Sequence, residues 1–147
     1  MARKLHDGFS DQFKASQKRR ADAQALFDSA RWRGSLYVGG YAVECLLKAS
    51  LMRRFGCQTV AELDEELKDR GLIASDTSMY THQLQSLFQV AGHLDRLRKD
   101  ASALKAFNVV NRWIPDWRYD PHPSNREEAE DFLEALDRVI TWIRANI

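Results

Sequence analysis

The sequence predicts an all-α protein: a bundle of four main helices with one or two short extra ones, in a single domain over residues 1–147. Three observations predict it. Only 7 Gly and 3 Pro interrupt 147 residues, so most of the chain is free to be helical. Apolar residues recur at i, i+3, i+4 and i+7, and no stretch alternates with the two-residue period of a strand. Twice a Ser or Thr stands three residues ahead of a Glu where such a stretch begins, the spacing of a capping box.

Phe9, Phe13, Ala23, Leu26, Phe27 and Ala30 trace one face of a first helix, over about residues 10–30. Lys14, Lys18, Arg19 and Arg20 lie off that face, as a solvated surface or as a local nucleic-acid patch. A second helix, over about residues 31–55, is apolar all round: Leu36, Tyr37, Val38, Tyr41, Val43, Leu46, Leu47, Leu51 and Met52 point in every direction. Such a helix is enclosed by others and forms the centre of the bundle. Gly39 and Gly40 would each cost about 1 kcal/mol relative to Ala in an exposed helix. Close approach of a neighbouring helix, or of the same helix from a second subunit, would offset that, unless the pair is simply a tolerated weak spot.

A short helix follows, with Thr59 and Glu62 at its start, Val60, Leu63 and Leu67 as its stripe and Gly71 at its end. Residues 74–80 read as loop. Leu84, Leu87, Phe88 and Ala91 then make one helix ended by Gly92, and a further helix from Asp95 or Asp100 to Arg112 buries Leu104, Phe107 and Val110. The last helix starts from Ser124 and Glu127, a second capping-box spacing, and buries Phe132, Leu133, Leu136, Val139, Ile140 and Ile143.

Composition narrows the function. Hydrophobic residues at 44% and charged residues at 29% describe a globular chain, not a disordered one. A formal net charge of +1 leaves no global basic field, so any nucleic-acid contact must come from a local patch. Cys45 and Cys57 do not make a disulfide framework, which favours a reducing compartment. Residues 1–10 hold no apolar stretch like a signal peptide, and Glu44 and Lys48 interrupt the longest apolar run, so neither secretion nor a membrane span is expected. The expectation is a cytoplasmic protein.

Chemistry concentrates in residues 111–124, NRWIPDWRYDPHPS, which hold all three prolines and two of the four tryptophans. Proline removes backbone donors and fixes φ, so this connection is stiff and non-helical. It gathers Arg112, Asp116, Arg118, Tyr119, Asp120 and His122. Either these act on a ligand, or Trp113 and Trp117 staple the loop to the bundle and Arg118 makes a buried ion pair. Glu44 is the second feature, a carboxylate inside the apolar helix, where it would be costly unpaired. Lys48 stands four residues on, in the favourable orientation for an intrahelical pair. A buried carboxylate needs more than that, and Arg118 is the expected further partner. His82, beside Thr81 at a helix start, is either a cap or structural imidazole, or a polar group near the Arg118 loop. His6 and His93 have no partner at metal-ligand spacing, and no metal site or cofactor is expected.

The stretch RWRGSLYVGGYAVECLLKASL, residues 31–51, resembles the second-helix signature of HEPN domains through Tyr41, Ala42, Glu44, Leu47, Lys48 and Ala49. Thr81, His82 and Leu84 are similar to the third-helix entry of many members, and Arg118–Tyr119 to an Arg-Tyr element of the nucleotide-binding branch. The resemblance implies a bundle of four main helices that dimerises, often encoded beside a small nucleotidyltransferase. Many members are toxins or ribonucleases that cut RNA without metal, using an Arg and a His near the start of the last helix. The His moves a proton and the Arg stabilises charge on phosphate. Carried onto this chain, Arg118 and His122 are the catalytic candidates, although only Tyr119, Asp120 and Pro121 separate them, a closer spacing than that pattern. Arg118, Tyr119, Glu44, Lys48 and His82 are the nucleotide- or RNA-binding candidates. The function implied is action on RNA or a nucleotide, as a homodimer in a toxin–antitoxin or defence-like gene pair. The alternative is a non-catalytic nucleotide-binding or adaptor module serving a nucleotidyltransferase.

Overall fold

Apolar side chains on every side of one helix can be buried only if other helices surround it, and this dictates the architecture. The computed structural model describes residues 6–147, so Arg3 and Lys4 and half of the segment read for a leader lie outside the described residues. In chain order the helices are α1 (Phe9–Asp28), α2 (Trp32–Phe55), α3 (Val60–Asp69), α4 (Leu84–Gln89), α5 (His93–Arg98), α6 (Ala101–Val110) and α7 (Arg126–Asn146). Short 3-10 turns lie at Val90–Gly92 and Pro115–Tyr119. The fold is all-α; an isolated antiparallel bridge, Gly8 to Thr59, is the sole β pairing among the described residues. No described helix is long and apolar enough to cross a membrane.

α2 is the centre. It packs against α1, α3, α4, α7 and the turn at Pro115–Tyr119, and Leu36, Ala42, Val43, Leu46, Leu47, Ala49, Leu51 and Met52 are all buried. α1 returns antiparallel to it across a tight turn in which Ala30 takes φ 58°. Two serines tie the pair together: Ser16 donates to the Ala42 carbonyl and Ser35 to the Ala23 carbonyl, both at 2.7 Å and both buried. Small side chains let the two backbones approach, and the hydroxyls satisfy themselves on helical carbonyls. α7 closes the other side with Phe132, Leu133, Leu136, Val139 and Ile143 of the stripe read from the sequence, while Ile140, expected with them, is only half-buried. On α1, Arg20 departs from the solvated-surface expectation. Its guanidinium forks onto Asp137 of α7 at 2.6 and 2.8 Å, a bidentate geometry that suits Arg.

The glycine pair is accounted for within the chain. A Cβ on Gly39 would meet Leu136 and Phe132 at 3.3 Å, and one on Gly40 would meet three atoms of the Trp113 indole at 2.2 Å. No second subunit is needed to explain them.

Helix boundaries differ from expectation in three places. The stretch at residues 84–91 is not one helix: Val90 turns extended at ψ 133°, so α4 gives way to a 3-10 turn, and Gly92 at φ 73° separates that turn from α5. Asp95 therefore lies inside α5, and Asp100 caps α6, its carboxylate accepting from Ala103 N–H at 3.0 Å while Arg138 holds the other oxygen at 2.7 Å. The described residues thus form seven α-helices, and Leu104 on α6 is only half-buried. α7 is capped by Asn125, which accepts from Glu128 N–H at 2.8 Å, instead of by Ser124 with Glu127. Ser124 bonds the Glu128 side chain, so both cap partners sit one residue later. At α3 the expected Thr59 cap holds, with Glu62 N–H on its hydroxyl at 3.1 Å and the Glu62 carboxylate reaching back to Gln58 N–H at 2.7 Å.

His93, set aside in the sequence for want of metal-spaced partners, is wholly enclosed, and neither ring nitrogen has a hydrogen-bond partner of good geometry among the described residues. Burial, and then the charges of Arg96 and Arg54, push its imidazole from 6.5 down to about 4. The native state therefore refuses a proton that the unfolded chain accepts. Stability is complete above pH 6.5 and falls as pH drops towards 4, by about 3 kcal/mol at most at 1.36 kcal/mol per unit. His93→Leu is expected to flatten urea-unfolding free energies across that window; an unchanged slope would contradict the assignment.

Candidate functional site

Glu44 stands in the middle of α2 and is only 5% exposed, with Lys48 at 6%. The apolar sequence around them leaves no water for either charge, so each must find partners in the protein. Lys48 Nζ lies 3.4 Å from Glu44 Oε2, one helical turn away. The other carboxylate oxygen, Oε1, is 2.5 Å from Nδ1 of His82, in the segment that leads into α4. Arg118 is not the further partner expected for Glu44; His82 is. Nor does His82 cap a helix, since Gln83 is the N-cap residue of α4 and makes no side-chain cap. A carboxylate flanked by an ammonium only accepts hydrogen bonds, so the network assigns the hydrogen to His82 Nδ1. Nε2 is left free, on a side chain that is 53% exposed.

Tyr41, one turn before Glu44, joins this pair to the proline-rich loop. Its ring packs edge-on against His82 at 6.1 Å and against Trp113 at 4.8 Å, and its hydroxyl lies 3.4 Å from that of Tyr37. Burial first, then the Tyr37 hydroxyl and the Glu44 charge, push the Tyr41 phenol well above its usual range, while Arg118 pulls the other way. Tyr41 thus stays protonated and able to donate. Arg118 lies over the Tyr119 ring at 4.7 Å, and the charges of Tyr119, then Tyr37 and Tyr41, favour its guanidinium. Both Arg118 and Tyr119 are exposed, Tyr119 at 73%.

Two anchors hold the loop. Trp113 is buried, and its Nε1 donates to the Tyr37 carbonyl at 2.9 Å. Arg33, at the start of α2, packs over the Trp117 ring at 5.6 Å, donates to the His122 carbonyl at 3.3 Å and lies 3.8 Å from Asp120. The tryptophans staple the loop, as one alternative held, but the buried ion pair that went with it is not made, since Arg118 is exposed and has no ion-pair partner among the described residues. His122 is turned to Asp120, its Nδ1 2.7 Å from the carboxylate and its side chain 83% exposed. The His122 N–H and ring, then Arg33, hold the Asp120 carboxyl below its usual range. No hydrogen bond or ion pair joins Arg118 to His122 among the described residues.

Between α4 and residues 111–116 runs an open groove of about 540 Å³. His82 stands at its edge; Gln85, Gln89 and Asn111 supply amides, and Trp113 and Ile114 supply apolar wall. Sequence reasoning missed Tyr37 and Tyr41 as polar groups, because at helical spacing they read as core. It also missed Arg33, whose one signal was its place inside the HEPN-like stretch. Comparison of the chain with protein-family models, curated proteins and solved structures finds no match.

Proposed function

We propose that this chain is a HEPN-type protein that acts on RNA or a nucleotide, as a homodimer in a toxin–antitoxin or defence-like gene pair. In this reading α1, α2, α6 and α7 are the four main helices, and Arg118 is the phosphate-contacting group. One observation carries it: an exposed guanidinium stacked on an exposed tyrosine, standing beside Tyr37 and Tyr41 on the helix that buries Glu44. Arg presents a planar fork matched to phosphate oxygens, and an exposed aromatic ring stacks a base for about 1–3 kcal/mol. With a net charge of +1, affinity has to come from this patch and not from a field around the whole molecule.

The second reading, a non-catalytic nucleotide-binding or adaptor module partnering a nucleotidyltransferase, is favoured by one observation. His122, the expected catalytic partner of Arg118, faces Asp120 on an exposed loop. RNA binding and metal-free RNA cleavage by the purified protein separate the readings. Arg118→Ala is expected to weaken binding and any cleavage by about tenfold or more, the loss of one charge-assisted contact. Equal behaviour of Arg118→Ala and wild type in both assays would contradict the role given to Arg118. Light scattering is expected to give a dimer mass.

A further inference from the structure

We propose that His82, held by Glu44, is the proton-transferring group of an RNA-cleaving site, and that single-stranded RNA lies in the groove beside it. The proposal rests on the reading that this protein acts on RNA. The arrangement is that of an oriented base. A buried carboxylate takes Nδ1 at 2.5 Å, and Lys48 fixes that carboxylate from the other side at 3.4 Å. Nε2 is thereby presented, unpaired, where a substrate can reach it. His122 has no such support: its carboxylate partner is two residues away on the same exposed loop.

The groove argues for the class of substrate. Gln85, Gln89 and Asn111 carry amides that both donate and accept, the combination needed at the edges of unstacked bases. No Lys or Arg lines it and Asp116 does, so contact with phosphate has to come from outside the groove. Arg118, to which the proposal assigns the scissile phosphate, stands outside the groove lining on the same turn as Pro115 and Asp116 of its wall. Tyr41 touches both ends of this arrangement, with its ring on His82 and its hydroxyl beside Tyr37, which favours the Arg118 guanidinium.

In the step, His82 Nε2 takes the proton of a ribose 2′-hydroxyl as that oxygen attacks the adjacent phosphorus. The bond from phosphorus to the 5′-oxygen breaks, and the 5′-oxygen takes a proton from water. The imidazolium then returns its proton to the hydroxide left behind. The products are a 2′,3′-cyclic phosphate and a 5′-hydroxyl, with no redox change and no co-reactant other than water. Arg118 offsets the negative charge that gathers on the phosphorus oxygens.

The test uses the full-length protein and a single-stranded RNA oligonucleotide, with a 2′-deoxy version as control. Wild type is expected to cut the RNA to cyclic-phosphate ends and leave the deoxy control intact. His82→Ala is expected to lose about 10²-fold or more in rate, with His122→Ala within a few-fold of wild type. Because His82 is a partner of buried Glu44, His82→Gln, whose amide can still donate to that carboxylate, and a urea-unfolding curve of each variant separate lost chemistry from lost stability. Glu44 is a positioning residue: Glu44→Gln is expected to slow cleavage and also to mix the two His82 imidazole tautomers in nitrogen NMR, a signature that mere loosening of the fold would not give. Cleavage that survives His82→Ala and fails in His122→Ala overturns the proposal and leaves the RNA reading intact. Arg118-dependent RNA binding without cleavage also overturns it and leaves the binding reading standing. Neither binding nor cleavage overturns both.

Discussion

Gly40→Ala is expected to destabilise the protein by about 2–3 kcal/mol, the cost of overpacking a closed core, and so to lower Tm by roughly 5–10 °C. Its neighbour Gly39→Ala is expected to stay within about 1 kcal/mol of wild type. The two differ in what the new methyl group meets. At Gly40 it would fall 2.2 Å from three indole atoms of Trp113. That ring has no room to withdraw, because its Nε1 is bonded to the Tyr37 carbonyl and its edge is packed on Tyr41. Displacing Trp113 costs that hydrogen bond, uncovers a buried ring and releases residues 111–116 from α2. At Gly39 the contacts are the ends of the Leu136 and Phe132 side chains at 3.3 Å. These yield by a few tenths of an ångström, and alanine's helix propensity compensates. Urea unfolding of both variants measures the difference; equal losses would show that Trp113 does not hold the close approach described.

Removing one member of the buried pair on α2 is expected to cost more. Glu44→Leu alone should destabilise by about 3–5 kcal/mol, because it leaves the Lys48 ammonium uncompensated where little water reaches, and Lys48→Met by less, because Glu44 keeps His82. The double substitution should cost less than either single one, since both desolvation penalties vanish together and apolar neighbours receive the new side chains. A double-mutant cycle reads the coupling directly. Additive losses would mean that the two charges are solvated separately in the native state.

How much of this was legible in the sequence follows from what kind of physics set each feature. The all-round apolar character of α2 announced its central place, because nothing but enclosure can satisfy it. The isolated carboxylate of Glu44 announced that partners were needed. It could not say which, because His82 is 38 residues away and its approach depends on how α4 packs against α2. Arg118 was a reasonable guess on charge, yet the loop carries it to Tyr37 and Tyr119. The stapling of Trp113 was foreseen as one alternative, but its seat on Gly40 appears only once both are placed. The break at Val90 escaped notice because the apolar stripe of α4 continues in phase past it to Ala91, whereas Gly92 was read as the helix's end and does take the left-handed turn. The start of α7 was misplaced by one residue because Ser124 and Asn125 are both good caps, and local geometry chose between them.

The central claim is that α2 is the enclosed spine on which Glu44, and through it His82, is held. Native-state amide hydrogen exchange tests it most directly. The account predicts that amides of residues 42–52 exchange only through global unfolding, with an opening free energy equal to that from urea, while the six-residue helices α4 and α5 open locally at lower cost. If residues 42–52 exchange as readily as α4 and α5, α2 is not the spine, and the site built on it has no fixed carboxylate.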